Sequence, residues 1–209
     1  HWSGTLVVDA YVGYDPALSL NDRCAAYCLA HARRKFDELA KANASVVAKE
    51  AIVHIAQLYR IEAKARGLSA PERLQLRQQE SAPLWQALHA WLQIERQRVM
   101  EGSSIAKAID YSLNQWTGLS RFLQDGSVPI DNNHIENQMR PWAIGRRNWL
   151  FIGSELAGER AAVVMSLVQS AKMHGHDPWA YLKDVLTRLP TQMNSRIEEL
   201  LPHAWKRAD

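Results

Sequence analysis

The chain has 209 residues, 47% of them hydrophobic, and a net charge of +3; that is enough apolar material for a packed core and excludes wholesale disorder. So small a charge does not argue for nucleic acid by itself, and a local basic patch has to make that case. No apolar run approaches the ~18 residues that a membrane span needs.

The chain opens His1-Trp2-Ser3-Gly4, without methionine, and reads as a piece of something longer. Gly4 to Asp9 is a short buried strand: the run Thr5-Leu6-Val7-Val8 is apolar and β-branched, bounded by glycine and by Tyr11-Val12-Gly13-Tyr14. Asp9, at its end, is either a turn former or a functional carboxylate. Asp15, before Pro16, reads as a turn residue. Cys24 to Leu29 reads as a second strand, with helix as the alternative because of its alanines. With no secretory signal, Cys24 and Cys28 read as reduced thiols in a cytosol.

From Arg33 to about Phe122 the pattern is helical. Ile52, Ile55 and Tyr59 recur at helical spacing, as do Leu84, Leu88, Trp91, Leu92 and then a polar Glu95. Gly67-Leu68-Ser69-Ala70-Pro71 is a turn with Ser69 as cap and Pro71 near the first helical position. Gly102-Ser103-Ser104 is another break, before a helix through Ile105, Ile109, Leu113 and Trp116. These segments predict a helical hairpin or small bundle.

Gln124 to Pro129 has turn chemistry. A short helix carrying Glu136 follows, entered through Asp131-Asn132-Asn133 and ended at Pro141. On it Ile135, Met139 and Trp142 form an apolar stripe expected to be buried, beside a stripe of Asn133, Glu136 and Arg140. A longer helix is predicted from Gly158 to Met173, apolar at Ala162, Met165, Leu167 and Val168. Gly175 stops it, and Asp177-Pro178 starts another through Trp179, Leu182, Val185 and Leu186. Most of the eight tryptophans are expected in the core.

A carboxylate at a strand end, Asp9, and another on a distant helix, Glu136, suit Mg²⁺-dependent phosphoryl transfer. The plainer alternative for Glu136 is a surface glutamate paired i,i+4 with Arg140. Cys24, Cys28 and His31 suggest zinc, but a structural site needs four ligands and no second Cys/His pair appears; buried thiols beside a positioned histidine fit better. Two basic-aromatic clusters adjoin these segments: His31-Ala32-Arg33-Arg34-Lys35-Phe36, and Arg140-Pro141-Trp142 with Arg146-Arg147-Asn148-Trp149. They are either solvated helix faces or phosphate and base contacts.

Taken in order, Val8-Asp9-Ala10-Tyr11-Val12-Gly13-Tyr14, Cys28-Leu29-Ala30-His31-Ala32-Arg33-Arg34-Lys35-Phe36, Asp131-Asn132-Asn133-His134-Ile135-Glu136-Asn137 and Gly145-Arg146-Arg147-Asn148-Trp149-Leu150-Phe151 resemble the bacterial insertion sequence 66 family of DDE transposases. Ala171-Lys172-Met173-His174-Gly175-His176-Asp177-Pro178-Trp179-Ala180-Tyr181-Leu182 and Ile197 to Pro202 resemble that family's C-terminal element.

The resemblance implies an α/β, predominantly helical fold: an N-terminally truncated RNase H-like catalytic core with an all-α insertion. It divides the chain into partial core (1–32), helical insertion (33–122), the rest of the core with the Glu136 helix (123–174) and the C-terminal element (175–209). By motif, Asp9 matches the second acid of the DDE set and Glu136 the third, with the first in a segment absent here. Cys28 and His31 match a Cys-x-x-His signature near the site, with Asn132 and Asn133 as structural neighbours. The family implies a site of two Mg²⁺ or Mn²⁺ ions held by Asp9, Glu136 and the missing aspartate, and His31 orienting a phosphate or the site loop. It also implies DNA contacts from Arg33, Arg34, Lys35, Arg140, Arg146, Arg147 and Trp149. Expected partners are terminal inverted repeats, target DNA, further copies of the chain and accessory element-encoded proteins, in a bacterial cytoplasm at the nucleoid. With one acid missing the chain is expected to be inactive alone. A non-catalytic DNA-binding or assembly fragment, or a structural helical interaction domain, are the alternatives.

Overall fold

A computed structural model describes residues 3–19, 22–43, 45–145, 148 and 152–207. Two strands, β1 (Gly4–Val8) and β2 (Arg23–Tyr27), pair in parallel from Gly4 opposite Arg23 to Val8 opposite Tyr27. Ala10 leaves β1 in the left-handed region, φ 64°, which few non-glycine residues adopt. The chain then passes a 3₁₀ turn at Val12–Tyr14 and α1 (Asp15–Leu18). The second strand ends earlier than expected, and Cys28 becomes the residue capping the next helix.

The helices α2 (Leu29–Lys41) and α3 (Val46–Lys64) pack together, and the Ser45 hydroxyl accepts the Ala48 N–H to start α3. Helix α4 (Ala70–Leu76) begins at Ser69, whose N–H and hydroxyl both donate to Glu72, a capping arrangement that satisfies otherwise orphaned groups. A π-helical segment, Arg77–Ser81, joins α4 to α5 (Ala82–Arg98). Pro83 explains it: its ring would crowd the Gln79 carbonyl in a straight helix, and the wider turn makes room. Helices α6 (Ser104–Asn114), capped by Ser103, and α7 (Trp116–Leu119) complete this body.

Its core holds Phe36, Ile55, Leu58, Trp85, Leu92, Ile109 and Phe122, with Trp85 stacked on Trp116 at 4.1 Å. Arg77 is buried there too. It makes a two-point contact with Glu62 (2.8 and 2.7 Å) and donates to the carbonyls of Phe122, Asp125 and Val128. Burying a guanidinium is tolerable only with such complete pairing.

The chain divides into two compact units, His1–Glu136 and Asn137–Asp209. The second contains α9 (Glu155–Met173) and α10 (Pro178–Arg188). Asp177 caps α10 by accepting the Ala180 N–H. A small core of Ala171, Tyr181, Val185, Leu200 and Trp205 forms around it. The Tyr181 hydroxyl donates to the Leu200 carbonyl, and the Trp205 indole to Asp184.

The fold is thus α/β and predominantly helical, as the sequence predicts, and its two strands form a small parallel sheet. Three local expectations need correction. Helix α8 (Asn133–Gly145) does not stop at Pro141 but runs through it; the proline removes one backbone bond, and the flanking turns hold. The stripe expected to be buried on α8 is not: Ile135 and Met139 are 54% and 60% exposed. Trp179 is 70% exposed, since α10 turns Tyr181 and Val185 inward instead. Among the described residues, no helix is long and apolar enough to cross a membrane.

Candidate functional site at the strand ends

The carboxyl ends of the two strands meet the segment that leads into α8. The Cys28 N–H donates to the Val8 carbonyl (2.9 Å), and the Leu29 N–H to the Ile130 carbonyl (3.1 Å). The Asn132 N–H lies 3.5 Å from Cys28 Sγ. Parallel strands leave ligand sites beyond their carboxyl ends, and Asp9 and Cys28 follow the two strands at that end.

Asp9 follows β1 directly. Its Oδ1 accepts the Tyr11 N–H, which holds the turn, and its backbone carbonyl accepts the Tyr111 hydroxyl at 3.2 Å. Burial, and then the charge of Asp9, push the Tyr111 phenol above its ordinary range. Lys35 sits over the Tyr111 ring at 4.3 Å.

Glu136 lies in the first turn of α8, where a carboxylate is favoured by the exposed backbone N–H groups. Its Oε1 is 3.4 Å from His31 Nε2, with side chains 39% and 18% exposed respectively. The loop before it is fixed by Asp131. That carboxylate accepts the Tyr59 hydroxyl (2.8 Å), the Asn133 N–H (3.1 Å) and Asn133 Nδ2 (2.9 Å). Burial chiefly, with Asp131 beside it, drives the Tyr59 phenol far above the usual range. Burial likewise raises the Cys28 thiol, against the lowering effect of the Asn132 N–H; the thiol therefore stays protonated near neutrality.

Structure and sequence agree on a part of the expected set. His31 meets Glu136, and Cys28 meets Asn132. Asn133 is exposed at the start of α8. Arg33 is half-buried on α2; Arg34, Lys35 and Arg140 are exposed. Arg146, Arg147 and Trp149 lie outside the described residues. Local patterning missed Tyr59, Tyr111 and Asp131 as site residues. Asp131 was legible as a side chain folding back onto Asn133; the tyrosines sit on helices with no local signal.

Among the described residues, two buried atoms here find no hydrogen-bond partner, His31 Nδ1 and Asn132 Oδ1. Buried polar atoms are rarely left so, and the oxygen is of the type that hard cations take. The carboxylates of Asp9 and Glu136 have the same character. Among the described residues, however, no three His, Cys, Asp or Glu side chains group so as to hold a metal. The donors fit Mg²⁺ or Mn²⁺ in type, as an incomplete set; zinc held by Cys24, Cys28 and His31 is not supported.

Comparison with known proteins supplies the rest. The model of the Transposase IS66 family matches residues 1–160, and that of the IS66 C-terminal element matches residues 166–203. Three uncharacterized proteins of Sinorhizobium fredii are similar over nearly the whole chain. For y4hP the identity is 40%, covering 99% of this chain and 40% of that protein. For y4jD it is 41%, covering 98% and 42%. For y4qI it is 37%, covering 98% and 40%. The chain thus spans about two fifths of the length of these curated relatives. No solved structure matches it.

Proposed function

We propose that this chain, which belongs to the IS66 transposase family, supplies Asp9 and Glu136 as two metal-holding carboxylates of a DDE enzyme that cleaves DNA and transfers its strands. The observation that supports this reading most is the fixing of Glu136 on a first helical turn beside His31, reached by a loop hydrogen-bonded to the carboxyl end of the sheet. A divalent ion bound there would supply Lewis-acid activation of water or a 3′-hydroxyl and charge stabilisation at the leaving oxygen. The chain's own residues hold the acids in place. Asp131 and Cys28 anchor the loop, Tyr111 anchors the backbone of Asp9, and His31 orients Glu136. Arg33, Arg34, Lys35 and Arg140, with Arg146, Arg147 and Trp149, are the proposed DNA contacts.

The RNase H-like character of the core, the third acid from an adjoining segment of a longer protein, and pairing of two element ends by several copies with accessory proteins belong to the same proposal. So does its place at the bacterial nucleoid. With two acids the chain does not cleave by itself. The test is donor nicking and strand transfer on terminal-repeat DNA with Mg²⁺ or Mn²⁺, comparing this chain with a full-length relative. Product from the relative and none from the chain is expected; robust turnover by the chain alone overturns the two-acid assignment. One other reading is a DNA-binding fragment without catalysis. An inactive full-length relative that still binds DNA would establish it.

A further inference from the structure

Between α2 and α3 runs a groove of about 420 Å³, lined by Ala30, Arg33, Ala56, Tyr59, Arg60, Ala63 and Asn133. Its α3 wall is one helical face, since residues 56, 59, 60 and 63 follow i, i+3, i+4 and i+7. Three alanines keep it open, and its volume lies within the range of small-ligand sites. Two arginines flank it, Arg33 half-buried and Arg60 exposed.

The two arginines of the groove have no direct acidic partner among the described residues. Among the described residues neither Arg33 nor Arg60 makes a hydrogen bond or ion pair. The nearby acids are directed elsewhere: Asp131, still a charge nearby, accepts its hydrogen bonds from Tyr59 and Asn133, and Asp37, which feels Arg33 at longer range, is ion-paired with Lys41 at 2.6 Å. Guanidinium groups without a direct partner that line an open concavity suit a phosphate, which a guanidinium binds through two parallel donors. Asn133, which also lines the groove, lies three residues (~4.5 Å of rise) before Glu136 on α8.

We infer that this groove seats a backbone phosphate of a DNA strand, gripped by Arg33 and Arg60, and so leads that strand to Glu136. The inference rests on the DNA-processing reading above and adds to it a residue of the helical body, Arg60, that no motif indicated. Tyr59 serves twice: its hydroxyl fixes Asp131, and its ring forms part of the groove wall.

The experiment is fluorescence anisotropy of the 209-residue chain with a labelled duplex and with its single strand, across a salt series. Inorganic phosphate competes against chloride at matched ionic strength. Arg33→Gln and Arg60→Gln each weaken binding about 3- to 10-fold, and each lowers the salt slope by about 1. Ala63→Leu, which fills the groove at an exposed position without changing charge, also weakens binding. Lys107→Gln, an exposed cation on α6, leaves it unchanged. Thermal melting confirms that the variants fold; Arg60→Gln decides if Ala63→Leu melts lower. Arginine variants that bind like Lys107→Gln overturn the inference and leave the DNA reading standing. Losses at the arginines with none at Ala63→Leu reduce the effect to surface charge and overturn the groove. Inorganic phosphate that displaces DNA fully at matched ionic strength identifies a free-anion site instead. No DNA binding by the parent chain sinks both readings.

Discussion

The Tyr59 hydroxyl donates to the Asp131 carboxylate across 2.8 Å, joining residues 72 apart. Through this bond the second helix of the helical body holds the loop from which α8 and Glu136 start. Asp131 keeps two donors from Asn133 without it, so the loop is loosened rather than released.

Tyr59→Phe therefore costs about 1 kcal/mol of stability, the scale of one hydrogen bond to a partly solvated carboxylate. Urea denaturation of the whole chain measures it. In a full-length relative the same change lowers cleavage more than DNA binding, because it disturbs the seat of Glu136. An unchanged cleavage rate removes Asp131 from the support of the site.

Arg77→Lys destabilises far more. An ammonium cannot reproduce the paired contact with Glu62 while also reaching the carbonyls of Phe122, Asp125 and Val128. Breaking a buried pair of this kind costs about 3–5 kcal/mol. A shift of the urea midpoint well beyond that of Tyr59→Phe is the expected result.

Glu136→Gln in a full-length relative abolishes cleavage and leaves DNA binding close to the parent's. The contact with His31 is half-exposed, so its loss costs under ~1 kcal/mol and folding is unaffected. Cleavage near the parent rate would remove Glu136 from metal binding.

The second unit carries its own pH dependence. The Trp205 indole, and then Arg188, hold the Asp184 carboxyl below its ordinary value of 3.8. A carboxylate with a lowered folded pKa contributes stability that is fully present above the unfolded value and is lost as pH falls through the folded one. The Trp205 indole resonance should therefore hold its position down to about pH 4 and shift on further acidification. Asp184→Asn flattens that response.

Much of the fold was written locally. The apolar run of β1 and the caps at Ser69 and Asp177 were readable because each depends on a few neighbouring residues. Pro141 and the stripe of Ile135 and Met139 misled for the opposite reason: a helix tolerates one missing bond, and which face is buried depends on what packs there. Arg77 gave no signal in sequence, since its burial follows from the wide turn before Pro83 and from acceptors some fifty positions away. At the site, the order of motifs pointed to His31, Asp9 and Glu136. The tyrosines that brace them, and the groove beside them, exist only once the helices have assembled.

One guanidinium that serves Glu62 on α3 and three carbonyls between Phe122 and Val128 leaves little room for piecemeal folding. The bundle cannot close over Arg77 until the turn before Ile130 has been delivered to it. Backbone amides at Val128 and Leu29, on either side of that junction, are therefore expected to exchange with solvent slowly, with the opening of the first unit, as amide hydrogen exchange would show. The approach to Glu136 inherits the rigidity of the bundle's interior, although it is itself a loop.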